Sequence, residues 1–270
     1  MTTNWTEGDV TLSAMSMHYA RSGGSKPALI LAHGFSDNGM CWLPAAEELA
    51  GYYDVILPDA KGHGKSSRVT PGETAHRDED LAEFIRALKL DRPIVGGHSM
   101  GGITASALGA HHPDLVSALI LEDPAWIERR PEPPVESIEE NPWLKELRVA
   151  QTVSVEKVMA MCRKQNPLWA DVELRPWAMS KQELDLNVFT VKDALFDVDW
   201  KEIARRIGVP TLLITAEVEK GAIISPENAQ KARELNPLIH LAHVPGAGHN
   251  IRRENYGAFM DAVRNFLRLL

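Results

Sequence analysis

Residues 94–102 read Ile94-Val95-Gly96-Gly97-His98-Ser99-Met100-Gly101-Gly102, and the reading of these nine residues decides the fold. The apolar run from Pro93 to Val95 predicts a buried strand, the crowd of small residues predicts a tight turn, and Ile103 to Ala110 predicts a helix, so Ser99 falls between strand and helix. Gly97 and Gly101 flank it in a Gly-x-Ser-x-Gly pattern. Strand and helix nearly touch at such a turn, which calls for neighbours without a Cβ atom and pushes the serine hydroxyl outward into a cleft. Ser99 is therefore a candidate nucleophile.

The pentapeptide by itself arises by composition in roughly one chain in ten of this size, so its setting carries the argument. A strand precedes it, a helix follows it, His33-Gly34 lies upstream and Gly248-His249 downstream. Each of those two glycines stands where a chain leaving a strand must turn sharply.

The whole chain has 270 residues, 44% of them hydrophobic, enough for one large core, and strand and helix patterns alternate without a repeat. One α/β domain with an insertion fits. The net charge of -8 and the lack of a basic cluster argue against nucleic acid as a partner. Met1 to Val10 is polar and acidic, unlike a signal peptide, and no apolar run is long enough for a bilayer, so no membrane association and a cytoplasmic location are expected. Cys41 and Cys162 are expected to be free thiols.

From the start of the chain, Val10 to Ser13 and Met15 to Tyr19 predict a hairpin closed by Gly23-Gly24. Ala28 to Ala32 predicts a buried strand running into His33-Gly34-Phe35, where the Phe35 amide is left to point at a substrate oxygen. Cys41 to Ala50 predicts a helix. Asp54 to Leu57 is the next strand, and the loop Asp59 to Ser66 contains a decoy. Gly64-Lys65-Ser66 looks like the end of a phosphate-binding loop, but Asp59 stands where that motif needs glycine and no strong helix follows. Thr74 to Leu88, with Leu81, Phe84, Ile85 and Leu88 on one face, predicts the helix that leads back to the serine's strand.

His33-Gly34-Phe35, Asp59-x-x-Gly62-His63-Gly64-x-Ser66, Gly97-His98-Ser99-Met100-Gly101 and Pro245-Gly246-Ala247-Gly248-His249 together resemble the α/β hydrolase superfamily over nearly the whole chain. The resemblance implies a mostly parallel central sheet flanked by helices, with a helical cap inserted after the sixth strand. It further implies Ser99 as nucleophile, His249 as base, an oxyanion hole from the backbone amides of Phe35 and Met100, and no cofactor. The residues agree on His249: the strand Ile239 to Val244 runs into a loop with two glycines, and the histidine follows at the strand's end, where an open parallel sheet gathers its ligands. His33, Gly34 and His98 are expected to line the substrate site, with His63 beside them. His240 and His243 read as structural, His111 and His112 as surface, and the scattered histidines offer no metal site.

The acid has two candidates. In most of the superfamily it follows the strand read here as Thr211 to Thr215, where Ala216-Glu217-Val218-Glu219 puts Glu219 in the aspartate's place, ahead of a long loop and a helix start at Ser225-Pro226. In a minority it follows the preceding strand, here Val116 to Leu121, which points to Asp123, 24 residues after the serine (123 minus 99). Asp123 is the preferred reading and Glu219 the alternative.

Between Pro124 and Ile207 the pattern changes. Pro131, Pro133 and Pro134 mark a boundary, and Val135 to Phe196 predicts several short helices separated by Pro142, Pro167 and Pro176. Five of the seven tryptophans, at 126, 143, 169, 177 and 200, lie in or beside this stretch. The expected organisation is a core of residues 1–123 and 208–270 with a cap of 124–207. The cap's aromatic side chains and Met159, Met161 and Met179 would line an apolar pocket, with Trp126 and Trp177 reaching the substrate.

The expectation is a serine hydrolase that cleaves a carboxylic ester or lactone of small to medium apolar character through an acyl-enzyme, as a monomer or homodimer. A carbon-carbon bond hydrolase would use the same three residues, and a hydrolase-fold receptor with little turnover is the alternative of a different class. Haloalkane dehalogenase and epoxide hydrolase chemistry is disfavoured, since their nucleophile is an aspartate where Ser99 stands.

Overall fold

The computed structural model describes residues 3–127 and 138–270. The proline boundary at 131, 133 and 134 lies outside the described residues. Eight strands form one sheet: β1 (Thr6–Thr11), β2 (Ser16–Arg21), β3 (Ala28–Ala32), β4 (Asp54–Pro58), β5 (Ile94–His98), β6 (Ala118–Glu122), β7 (Thr211–Thr215) and β8 (Ile239–His243). Their spatial order is β1-β2-β4-β3-β5-β6-β7-β8. The β1-β2 and β2-β4 pairs are antiparallel and all others parallel.

Every residue of β4, β5, β6 and β7 is buried, which is why these strands read as continuous apolar runs: helices cover both faces of the sheet. Alternate residues feed the two faces. Ile30, Ile56, Val95 and Leu119 pack with α2 (Arg77–Ala87), α3 (Met100–His111) and α7 (Trp200–Arg206), while Leu29, Leu31, Val55 and Ile120 pack with α1 (Leu43–Leu49) and α10 (Tyr256–Leu267). The strand β8, by contrast, is an edge, and its burial is partial.

Several boundaries differ from the sequence expectation. The first strand begins at Thr6, because the polar alternation Thr6 to Thr11 pairs residue for residue with β2. Cys41 lies in a 3-10 turn, Gly39–Trp42, and the α-helix begins only after it, at Leu43 with Pro44 in its first turn. The helix expected from Thr74 starts at Arg77. Thr74–Ala75 instead form a two-residue parallel ladder with Lys192–Asp193, fastened by Arg77 Nε to Asp193 Oδ2 at 2.9 Å.

Between β6 and β7 the described chain is helical: α4 (Pro142–Thr152), α5 (Val155–Gln165) and α6 (Asp171–Glu183). Asn141 and Ser154 cap α4 and α5, their side chains accepting first-turn amides. Pro142 occupies the first turn of α4 and Pro167 lies between α5 and α6, but Pro176 does not separate helices: it sits inside α6. These helices keep a small core of their own around Ala150, Val158 and Ala178, adjoining Cys162, Trp169 and Leu174. Both cysteines are free and buried. Two short helices, α8 (Pro226–Leu235) and α9 (Ile251–Glu254), complete the element order. No helix among the described residues is long and apolar enough to cross a membrane.

Candidate active site

Ser99 ends β5 with φ 52° and ψ -112°, a sparsely populated backbone region for a residue with a Cβ atom. Its surroundings leave it little choice. A Cβ on Gly97 would lie 2.1 Å from the Gly101 carbonyl oxygen, and one on Gly101 would lie 2.3 Å from that of Ala32, so both glycines are required by close approach. The Ser99 amide donates to the Glu122 carbonyl at 3.0 Å, and its own carbonyl accepts from the Ile103 and Ala125 amides at 3.0 Å each. The turn is thereby pinned to β6 and to α3 at once. Ser99 Oγ has no hydrogen-bond partner among the described residues and opens onto a cleft of about 260 Å³ that it shares with His249.

His249 is oriented by Asp123, whose Oδ2 lies 2.6 Å from Nδ1. A carboxylate only accepts, so Nδ1 is the donor of this bond. Asp123 is fully buried, with φ 39°, and it accepts two further hydrogen bonds, from the Ile223 amide to Oδ2 (2.8 Å) and the Ile224 amide to Oδ1 (3.0 Å). Those two amides belong to the long loop after β7. Glu219, the alternative acid, lies on the same loop in the 3-10 turn Val218–Lys220 and is exposed. The extended loop thus supplies the amides that hold Asp123.

The same loop also fastens the turn that carries His249. The Glu217 amide donates to the Ala247 carbonyl at 2.9 Å and its carboxylate accepts from the Gly246 amide at 2.7 Å. A Cβ on Gly248 would lie 2.1 Å from the Lys220 carbonyl oxygen, so glycine there is a matter of space. Glu254 accepts the amides of Gly248 and Asn250, the residues on either side of His249.

Met100 is the first residue of α3 and Phe35 lies in the turn after β3, closed by the Asp37 amide on the Gly34 carbonyl at 3.1 Å. Neither the Phe35 nor the Met100 amide has an acceptor among the described residues. A Cβ on Gly34 would fall 2.7 Å from His98 Nδ1 and 3.5 Å from Ser99 Cβ, so Gly34 lets the Phe35 turn press against the serine.

Three expected lining residues do other work. His33 is buried behind the cleft: its Nε2 accepts the Ala60 amide at 3.0 Å and its Nδ1 donates to the Gly34 carbonyl at 2.8 Å, tying the loop after β4 to the loop after β3. Trp126 lies on the far side of α3, 1% exposed, stacked on Trp200 at 5.2 Å and donating to Ser106 Oγ; a side chain so enclosed does not reach a substrate. His63 is buried beneath His33 and the edge of Phe35, donating from Nδ1 to the Lys61 carbonyl. His98 does line the cleft, yet its Nε2 donates to the His249 carbonyl at 2.9 Å and its ring lies 4.7 Å from that of His249. Burial drives both His63 and His98 well below the ordinary imidazole range, so both are neutral.

The loop from Asp59 to Ser66 is self-fastened. Asp59 accepts the Gly39 and Lys65 amides, and a Cβ on Gly64 would lie 2.0 Å from its Oδ2, so the amides a phosphate would use are already engaged. His111 and His112 pair with Asp78 and Glu79, joining α3 to α2. No group of three His, Cys, Asp or Glu among the described residues could hold a metal ion.

The cleft is less apolar than expected. Phe35, Trp143, Trp169 and Trp177 share its walls with Asp37, Lys181, Asn250, Arg253 and Gln165. Met159 packs inside the helical segment, and Met179 faces a separate groove with Met40 and Leu57.

Behind this lining runs a buried ionic network that the sequence reading missed. Asp37 binds Lys181 Nζ through Oδ1 and Arg253 Nη2 through Oδ2, both at 2.9 Å, and Arg253 Nε reaches Glu173 at 3.3 Å. Arg252 Nη1 meets Glu122 at 2.8 Å while its guanidinium lies 4.0 Å from the Trp42 ring centre. The cations around Asp37 outweigh its burial and hold its carboxyl well below the usual carboxylate range. In sequence these six charges look like solvated surface residues; only the adjacent Arg252 and Arg253 just after His249 hint otherwise.

A family model of the α/β hydrolase fold matches residues 27–255. The chain belongs to the α/β hydrolase family, and it is a hydrolase. It is 30% identical over 269 residues to N-formylmaleamate deformylase of Pseudomonas putida, covering 96% of each chain. It is 25% identical over 261 residues to 2-(acetamidomethylene)succinate hydrolase of Mesorhizobium japonicum, covering 92% of this chain and 90% of that one. Among solved structures, the enol-lactonase of Burkholderia xenovorans superposes with a TM-score of 0.69 at 25% identity, covering 97% of this chain and all of the other.

Proposed function

We propose that this protein is a serine hydrolase that cleaves an ester, lactone or amide bond of a small substrate through an acyl-enzyme. The observation that carries the reading is the 2.6 Å contact of Asp123 with His249 Nδ1, which leaves Nε2 as a base facing the cleft that Ser99 opens onto. Ser99 attacks the carbonyl carbon as Nε2 takes its proton. The oxyanion forms against the Phe35 and Met100 amides, a donor of this kind being worth about 3–4 kcal/mol in the transition state. The imidazolium, stabilised by Asp123, returns the proton to the leaving oxygen or nitrogen. Water then enters by the reverse route and releases the acid.

The helices α4 to α6 act as a lid in this reading, because Trp143, Gln165, Asn166, Trp169, Trp177 and Lys181 all face the cleft from that segment. The cleft's size favours a small acyl group, and its mixed lining favours one with a polar substituent over the purely apolar one expected from sequence. Relatives named as a deformylase and an enol-lactonase support including amides and lactones beside esters.

The test is a panel of p-nitrophenyl esters of rising acyl length, several lactones, an N-formyl amide and a diketone, run with Ser99→Ala in parallel, together with a fluorophosphonate probe read by mass spectrometry. Turnover of short esters, lactones or the amide, lost in the variant, and a probe adduct on the Ser99 peptide are the expected results. Activity surviving in Ser99→Ala would overturn the reading; preference for the diketone would move it to carbon-carbon bond hydrolysis.

A further inference from the structure

Trp169 precedes α6 and Trp177 lies within it, and their rings meet edge to face at 6.3 Å and 83° on one wall of the cleft. Each ring carries a cation. The Arg253 guanidinium lies 4.7 Å from the Trp169 ring centre, and Lys181 Nζ lies 4.8 Å from that of Trp177.

Both cations are already engaged. Lys181 Nζ donates to the Ser36 carbonyl, to Ser36 Oγ and to Asp37, which uses its three protons. Arg253 donates from Nε to Glu173, from Nη1 to Asn250 Oδ1 and from Nη2 to Asp37. Lys181 has no proton left for a ligand, and Arg253 spends three of its five N–H groups within the protein.

The indole N–H groups are different. Trp5, Trp42 and Trp126 each donate to an acceptor of the protein, and that of Trp200 is sealed from solvent. Those of Trp143, Trp169 and Trp177 have no acceptor among the described residues and are not sealed, and of these three rings Trp169 and Trp177 carry the cations. A cation against the face of an indole draws π density away from the ring nitrogen and makes its N–H a stronger donor. Asn250 adds to the set: its Oδ1 is taken by Arg253, so its NH2 remains. What these three side chains present is donors without matching acceptors.

Resting on the serine hydrolase reading of the cleft, we propose that Trp169, Trp177 and Asn250 form a subsite for a carboxylate carried by the substrate away from the bond that is cleaved. The group is recognised by neutral donors that the buried Arg253 and Lys181 polarise. A carboxylate, which only accepts, fits a wall of donors, and hydrogen bonds to a charged acceptor are the stronger kind. The exposed Glu146 at the cleft disfavours a second negative charge nearby.

The test compares the p-nitrophenyl monoester of glutaric acid with its methyl-capped counterpart of equal length. The wild type should show the lower KM for the acid. Trp169→Phe and Trp177→Phe keep the ring and its cation but remove the N–H, and each should raise KM for the acid about tenfold more than KM for the capped ester. Equal shifts for both esters, or no preference in the wild type, would overturn the subsite. If no ester, p-nitrophenyl acetate included, is turned over, the hydrolase reading fails by itself. Calorimetry with glutarate then decides the subsite: binding weakened by the Phe substitutions supports it, while no binding, or binding they leave unchanged, overturns it.

Discussion

Asp123 Oδ2 lies 2.6 Å from His249 Nδ1, across 126 residues of chain, while the same carboxylate is held by the amides of Ile223 and Ile224. Three donors on one buried carboxylate fix its position. Asn in its place offers one oxygen and an NH2 group, so a donor is left facing a donor and the histidine tautomer is no longer selected. Asp123→Asn should lower kcat by about 10⁴, and Glu219→Gln, on the exposed turn, should stay within about twofold of wild type. Steady-state kinetics with circular dichroism as the fold check decides this; the reverse ranking would place the acid on the loop.

Ser99 combines a required hydroxyl with an unfavourable backbone, φ 52°. Glycine adopts that conformation without a Cβ penalty, and such strain costs about 1–3 kcal/mol. Ser99→Gly should therefore abolish turnover while raising the midpoint of urea unfolding. A variant both inactive and less stable than wild type would show that the turn is not strained.

Trp126 and Trp177 should separate cleanly. Trp126 is enclosed against Trp200, so Trp126→Ala should cost about 3–5 kcal/mol of stability and leave KM of the surviving folded enzyme near wild type. Trp177→Ala should act chiefly on KM, because that ring lines the cleft. Thermal unfolding beside substrate titrations reads both; a large KM change with unaltered stability in the Trp126 variant would contradict its placement.

Three buried histidines set an acid limit. Burial is the main cause that lowers His33 and drives His63 and His98 well down, so the folded protein keeps them neutral where the unfolded chain, titrating near ~6.5, takes up protons. The unfolded state then binds more protons, and stability rises with pH in that window. The contribution is complete above about pH 7 and declines as pH falls below ~6.5, by up to about 1.4 kcal/mol per pH unit for each histidine. Urea midpoints between pH 7.5 and 5 should fall accordingly, and His63→Gln should flatten the slope by up to one proton. A pH-independent midpoint would mean that folding leaves the titration of these groups unchanged.

The succession of strands and helices, the serine turn and the candidates Ser99 and His249 were legible in the chain, because each depends on residues close together: apolar runs long enough to be strands, and glycines where a Cβ has no room. The sequence by itself also determined the helix start at Ser225-Pro226, whose serine caps the Asn228 amide. It favoured Asp123 but left Glu219 open, since both follow parallel strands. The placement of Asp123 follows from β6-β7 register, Glu122 facing Ile214, which puts the Asp123 amide on the Ile214 carbonyl and its side chain under the Ile223 and Ile224 amides. Likewise, nothing local separates a buried Trp126 from a cleft-lining Trp177, or a clasped Lys181 from a solvated lysine. Local backbone preference is set within a few residues, but the partner of a long side chain is set by which distant surface the folded sheet brings against it, and only the tertiary structure decides that.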